Sequence, residues 1–201
     1  MSVREVVLPR RAVPQPVPAI VEGGDCGACA IGGLTGIPPA QVYRRLRRGR
    51  LEPLDHIGMA MALLVAQDEG LVDRVISDVP IWPWATREEA VPFGLSGEHQ
   101  VLAWWNYLRM GLDAGYYGIA EVSHRKAGPA ADTDHVVLLC GVRDVVSPVP
   151  GVKGATETLY QVLVSCSSRS TPGEEWVDAD AFLRERGGFN VLLARPAGGD
   201  P

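Results

Sequence analysis

Apolar positions along the chain fall into two regimes. Between Cys26 and about residue 111 they recur at helical spacing, and from Tyr116 onward they come in short β-rich runs bounded by turn residues. Gly23, Gly24 and Asp25 precede the run CGACAIGGLTG, which predicts a helix opening at Cys26 with Asp25 as its N-cap. A second helix is predicted over PPAQVYRRLRRG, with proline in its first turn, Val42 and Leu46 on one face and Gly49 as the stop. The stretch from Ile57 to Leu71, capped by Asp55, is apolar nearly all round at its start and is expected to be a central helix. Residues 78–96 hold Pro80, Pro83 and Pro92 with Trp82 and Trp84, and read as a long ordered loop. Ser96 then caps a fourth helix, GEHQVLAWWNYLRMG, whose Val101, Trp104, Trp105 and Leu108 share one face.

The second regime predicts four strands, YYGIAEVSH, HVVLLCGV, TLYQVLVSCS and NVLLAR. The proline- and glycine-bearing segment VVSPVPGVKGATE is expected to be a hairpin loop between the middle two. One helix, DADAFLRERGG, capped by Asp178, separates the last two. Helices first and an antiparallel sheet afterwards define the class as α+β. The expected domain is residues 20–196, preceded by a proline-rich extended leader over 1–19 and followed by a loose tail over 197–201.

Composition narrows the function classes. With 24 acidic against 19 basic residues the net charge is −5, which argues against nucleic acid or an anionic membrane as the main partner. The one basic run, Arg44 to Arg50, reads as the solvated face of a helix. The leader is broken by Pro9, Pro14, Pro16 and Pro18 and carries no signal-peptide core, and no apolar stretch reaches membrane-span length. Membrane insertion is therefore not expected. Cys26 and Cys29 lie three apart, while Cys140 and Cys166 stand alone in apolar runs, which is not the pattern of a disulfide framework. A reduced, cytoplasmic protein is the expectation.

The chemistry concentrates in Gly24-Asp25-Cys26-Gly27-Ala28-Cys29. A cysteine in the first turn of a helix meets unpaired backbone N–H groups and the positive end of the macrodipole, which favour thiolate. Gly24 and Gly27 leave room beside the sulfur. A proton carrier is offered by His135, which opens the apolar strand DHVVLLCGV. A helix-start cysteine with a strand-start histidine is a candidate Cys–His pair.

DCGACAIGGLTG resembles the nucleophile segment of papain-like cysteine peptidases, in particular the domains that cut leader peptides in bacteriocin exporters. DHVVLLCGVRD is similar to the family's histidine strand, and VLVSCSSRSTPGEEWVDADAFLRERGGFNVLLAR to its C-terminal portion. The resemblance implies a papain-like α+β fold, a helical half followed by a sheet half with the cleft between. It also implies peptide-bond cleavage with Cys26 as nucleophile and His135 as general base and acid, on a peptide or protein substrate with a small residue at the cut. The family's oxyanion glutamine, about six residues before the cysteine, is matched here by Ile20. The nearest polar residues are Glu22 and Gln15, and Gln15 with the backbone N–H of Cys26 would hold the oxyanion. Gly24, Asp25 and Gly27 complete the substrate-binding set. Where the family carries an Asp or Asn to orient the imidazole, this chain reads Ser165-Cys166-Ser167. Ser165 is the expected orienting residue, with Asp144 and Asp134 as other sources.

Other readings of the same residues stay open. The fold could serve as a catalytically inactive binding or structural subunit of a larger assembly, or as a thiol acyltransferase of transglutaminase type. Cys26 and Cys29 also spell a CxxC redox motif, although no strand precedes them. A zinc site would need Cys140 and Cys166 as its second pair, which are not a second CxxC, so no metal and no cofactor is expected. His124 is the rival base, disfavoured by Arg125 and Lys126 beside it, and His56 and His99 read as structural.

Overall fold

A computed structural model of the protein describes residues 1–16, 19–20, 25–46, 56–76, 97–123, 134–168, 173–186 and 191–198. Glu22, Gly23, Gly24, Asp55, Trp82, Trp84, Ser96 and His124, to which the sequence gives chemistry or structure, therefore lie outside the described residues. Five helices are described: α1 (Cys26–Thr35), α2 (Pro39–Leu46), α3 (His56–Asp68), α4 (Gly97–Asp113) and α5 (Ala179–Arg186). Seven strands accompany them: β1 (Ser2–Val7), β2 (Val72–Ile76), β3 (Tyr117–Ser123), β4 (Asp134–Pro148), β5 (Thr156–Cys166), β6 (Gly173–Asp178) and β7 (Val191–Pro196). All the described strands form one antiparallel sheet in the order β2-β7-β3-β4-β5-β6, so the α+β class stands.

β4 is the organising strand. Its first half pairs with β3, from Ser123 opposite Asp134 to Gly118 opposite Leu139. Its second half pairs on that same side with β1, from Val7 opposite Gly141 to Ser2 opposite Val146. On its other side β5 runs from Ser165 opposite Leu138 to Thr156 opposite Pro148. The proline-rich hairpin loop is thus shorter than expected, because β4 continues through Pro148 and β5 resumes at Thr156. Gly151 and Gly154, both with φ near +80°, make the intervening turn.

The layering differs from a helical half beside a sheet half. Successive residues of β3, β4 and β7 are apolar, so both faces of the sheet need cover. One face packs Ile119, Val136, Leu138, Cys140, Leu192 and Ala194 against α1, α2 and α3. The other packs Ala120, Val122, Val137, Leu139, Val191 and Leu193 against α4 and α5, with Trp104 and Phe182 fully buried 5.8 Å apart. The sheet is a filled middle layer.

The leader is also more than a docked arm. Residues 2–7 are a strand of the sheet, and Leu8 continues the pairing by donating its N–H to the Cys140 carbonyl at 2.8 Å. The chain then crosses α1 so closely that a Cβ on Gly33 would lie 2.0 Å from the Arg11 carbonyl oxygen. Residues 2–7 of the leader thus take part in the sheet. At the other end the Ala197 N–H bonds the Leu71 carbonyl, tying down the start of the tail. Among the described residues no helix is long and apolar enough to cross a membrane.

Candidate functional site

The site forms where β4 outruns its neighbour. β5 ends at Cys166, one residue past the Ser165–Leu138 pair, so the edge of β4 at His135 and Val136 has no β5 partner. The N-terminus of α1 lies there. α1 opens at Cys26 as its sequence requires, since the Cys29 N–H closes the first helical bond onto the Asp25 carbonyl at 2.8 Å. The Cys26 sulfur accepts the backbone N–H of Val136, the residue after His135. Cys26 packs against the α1, α2 and α3 layer of the core, so the thiol approaches the edge of β4 from that face.

His135 is buried at 5% exposure. Its cross-strand partner is Val122, and the pleat places it with Val137 and Leu139 on the α4 face. Its Nε2 lies 3.1 Å from the Sγ of Cys166. Cys166 is half-buried, and its sulfur also accepts the Ser168 N–H at 3.4 Å. The Cys–His contact fixed by distance is thus His135 with Cys166, while Cys26 meets the neighbouring peptide.

Ser165 does not face the imidazole as expected. Neighbouring strand residues point to opposite faces, and the Ser165 hydroxyl, 2% exposed, accepts the Ala12 N–H at 3.0 Å on the α1 side. The β5 residue in contact with the imidazole is Cys166. Asp144 is not the orienting group either. It lies well along β4, where Arg109 Nη1 bonds its Oδ1 at 3.1 Å and Arg4 approaches at 3.9 Å. The side chain of Asp134 falls outside the described residues.

Asp25 also departs from its expected role. No side-chain capping bond is made, and the residue is fully buried. Its carboxylate instead accepts the Ile20 N–H at 2.9 Å and the Tyr43 hydroxyl at 3.2 Å, tying the approach to α1 onto α2. Burial, with the Asp25 charge beside it, pushes the Tyr43 phenol well above its ordinary range. The same two causes act on Cys26. Burial is the largest and raises its thiol pKa, Asp25 adds to that, and the N–H groups of Val136, Gly27 and Cys26 itself oppose it without cancelling it. The helix terminus therefore does not deliver the low thiol pKa expected from position alone, because desolvation of the charged form outweighs the amide dipoles.

Gln15 is brought to the site by the leader. Between α1 and the end of β5 the chain bonds alternately to both: Val13 N–H to the Cys29 carbonyl at 3.1 Å, and Gln15 N–H to the Ser167 carbonyl at 3.0 Å. Gln15 thus lies one residue from Cys166 across that bond. Gly27 is buried in the first turn of α1. Cys29 and Cys140 are core residues with no exposure, and burial pushes the Cys140 thiol up to about 12. All four cysteines are free thiols. His56 and His99 lie in the first turns of α3 and α4. Arg44 and Arg45 are exposed on α2. No protein-family model matches the sequence, and no curated protein matches it.

Proposed function

We propose that this chain is a papain-like thiol hydrolase that cleaves a peptide bond, with Cys26 as nucleophile and His135 as general base and then acid. One observation carries the reading: the Cys26 sulfur, at the first residue of α1, bonds the peptide that follows His135. The raised Cys26 pKa specifies the form of the chemistry. A thiol held protonated by burial needs its proton removed as it attacks, so the base acts during attack and no standing thiolate–imidazolium pair is required. Sulfur bonds the carbonyl carbon while the proton passes to the His135 imidazole and the carbonyl π pair moves onto oxygen. The C–N bond then breaks as His135 returns the proton to the leaving amine. Water, deprotonated by the same imidazole, releases the acyl group. The Gln15 side chain, carried to the site by the Gln15–Ser167 bond, would donate to the oxyanion with the Cys26 N–H. Free thiols at the site fit a cytoplasmic setting.

The reading is tested by incubating the purified protein with a mixed peptide library containing paired small residues and sequencing the products by mass spectrometry. Cleavage that disappears in Cys26→Ser and in His135→Ala is the expected result. Cleavage surviving Cys26→Ser, or none by the wild type, overturns it. A second reading, a binding module without catalysis, is favoured by the same burial that raises the Cys26 thiol. It predicts intact peptides with the wild type.

A further inference from the structure

We propose that Cys166 is a redox modification site: its thiol, in contact with the buried His135 imidazole, is the one in this protein that small peroxides oxidise to a sulfenic acid. The assignment goes beyond the hydrolase reading and stands without it. Three observations carry it. The His135 Nε2 lies 3.1 Å from the Cys166 Sγ. The same sulfur receives the Ser168 N–H at 3.4 Å. Cys166 is the last residue of β5 and is half-buried, so a small reagent can reach it, whereas Cys29 and Cys140 have no exposure.

Susceptibility of a thiol to oxidation follows its thiolate character and its access to the reagent. Cys166 has both. Whichever atom carries the shared hydrogen, and whatever else the two side chains touch, the thiolate–imidazolium form gains from opposite charges 3.1 Å apart. An N–H aimed at the sulfur favours the same form. Cys26, the other half-buried thiol, also meets N–H groups, but burial and the Asp25 charge disfavour its thiolate. In the reaction the Cys166 sulfur attacks one oxygen of hydrogen peroxide, and the S–O bond forms as the O–O bond breaks. The departing hydroxide takes the thiol's proton by way of the imidazole and leaves as water. Sulfur gives up two electrons and the peroxide gains them. Excess small thiol reverses the step through a mixed disulfide, releasing water.

The test exposes the intact protein at neutral pH to a small excess of hydrogen peroxide with dimedone, which traps sulfenic acid, and maps the adducts to individual cysteines by mass spectrometry. The adduct is expected at Cys166 and absent there in Cys166→Ser. It should form about tenfold more slowly in His135→Ala and His135→Gln, the lower end of what an adjacent opposite charge is worth. Trapping first at Cys26, no adduct at Cys166 in the folded protein, or a rate unaltered in both histidine variants overturns the proposal. If neither histidine variant folds, the wild-type map decides alone. The hydrolase reading adds a second readout, since there the same imidazole serves Cys26. Peroxide should then slow iodoacetamide labelling of Cys26 in the wild type, reversibly with dithiothreitol, and not in Cys166→Ser. A Cys166 adduct that leaves Cys26 labelling unchanged upholds the oxidation site and counts against His135 as the base for Cys26, so the two failures are distinct.

Discussion

The two ends of β4 are built on different terms. From Leu138 to Pro148 the strand is paired with β5 apart from a bulge between Leu139 and Gly141, and with β3 or β1 on its other side as far as Val146, and Leu138, Leu139, Cys140 and Val142 are buried in the two layers. At His135 and Val136 the β5 ladder has stopped, and the vacated edge holds a thiol bonded to a main-chain N–H, a buried imidazole and a second thiol. Paired strand satisfies its own backbone and leaves side chains nothing to do but pack. Where pairing ends, in-plane N–H groups become available to bind something else. The candidate chemistry sits there because that is where the sheet leaves polar groups to be met by side chains.

Substitutions should separate the two ends, with stability lost at one and reactivity at the other. The largest cost is expected at the fully paired end. Leu138→Ala, at 0% exposure between β3 and β5, should lower the unfolding free energy by about 2–5 kcal/mol in a denaturant titration. It should leave the order of cysteine labelling unchanged. A smaller loss, about 1–3 kcal/mol, is expected for Asp25→Ala, which strands the Ile20 N–H and the Tyr43 hydroxyl in a buried place. Unaltered stability there would contradict the role assigned to the carboxylate.

Alkali should also find the paired end. The Cys140 thiol titrates near 9.0 when unfolded and at about 12 when folded, so between those values the unfolded chain has lost a proton that the native one keeps. Unfolding free energy must therefore fall as pH rises through that window and be insensitive to this group below it. Cys26 and Tyr43, also raised, act with the same sign. The slope measured above pH 9 should flatten in Cys140→Ala, and an unchanged slope would remove Cys140 from the account. The smallest effect belongs to Arg4→Ala. Arg4 is 74% exposed and reaches Asp144 only at 3.9 Å, so the loss should stay below about 1 kcal/mol. Arg109→Ala should cost more, because it removes the 3.1 Å partner of a carboxylate that is itself nearly buried.

Legibility in the sequence follows the same division. Strands at the middle of the sheet announced themselves as apolar runs, and α1 begins at the residue its flanking glycines and aspartate indicated. β1, β2 and β6 did not, and each is an edge of the sheet. Their sequences SVREVV, VDRVI and GEEWVD carry charges at positions that a half-buried strand would fill with apolar residues. Charged edges discourage pairing between molecules and erase the alternation that marks a strand. The long third helix stops at Asp68 rather than Leu71, because Gly70 takes φ +71° and ends it. At the site, Cys26 and His135 stood out by position within their elements. On β5 it is Cys166 rather than Ser165 that touches His135, since parity along β5 depends on register, and the bulge between Leu139 and Gly141 hides register from the sequence. Asp25 had the position of a cap, and only the packing of α2 against α1 turns its carboxylate toward Tyr43 instead.

The central claim is that His135 serves Cys26 at the open end of β4. It is tested most directly by cysteine-resolved iodoacetamide labelling between pH 5 and 9, in the wild type and in His135→Ala. A thiol whose proton is taken by His135 during attack should label at a rate that depends on that imidazole and rises before the free-thiol range is reached. The account predicts Cys26 labelling below the free-thiol range in the wild type and a rate about tenfold lower, or lower still, at pH 7.5 in His135→Ala, with Cys29 and Cys140 inert in both. A Cys26 rate that climbs only above the free-thiol range of about 8.5, equally in both proteins, would contradict it.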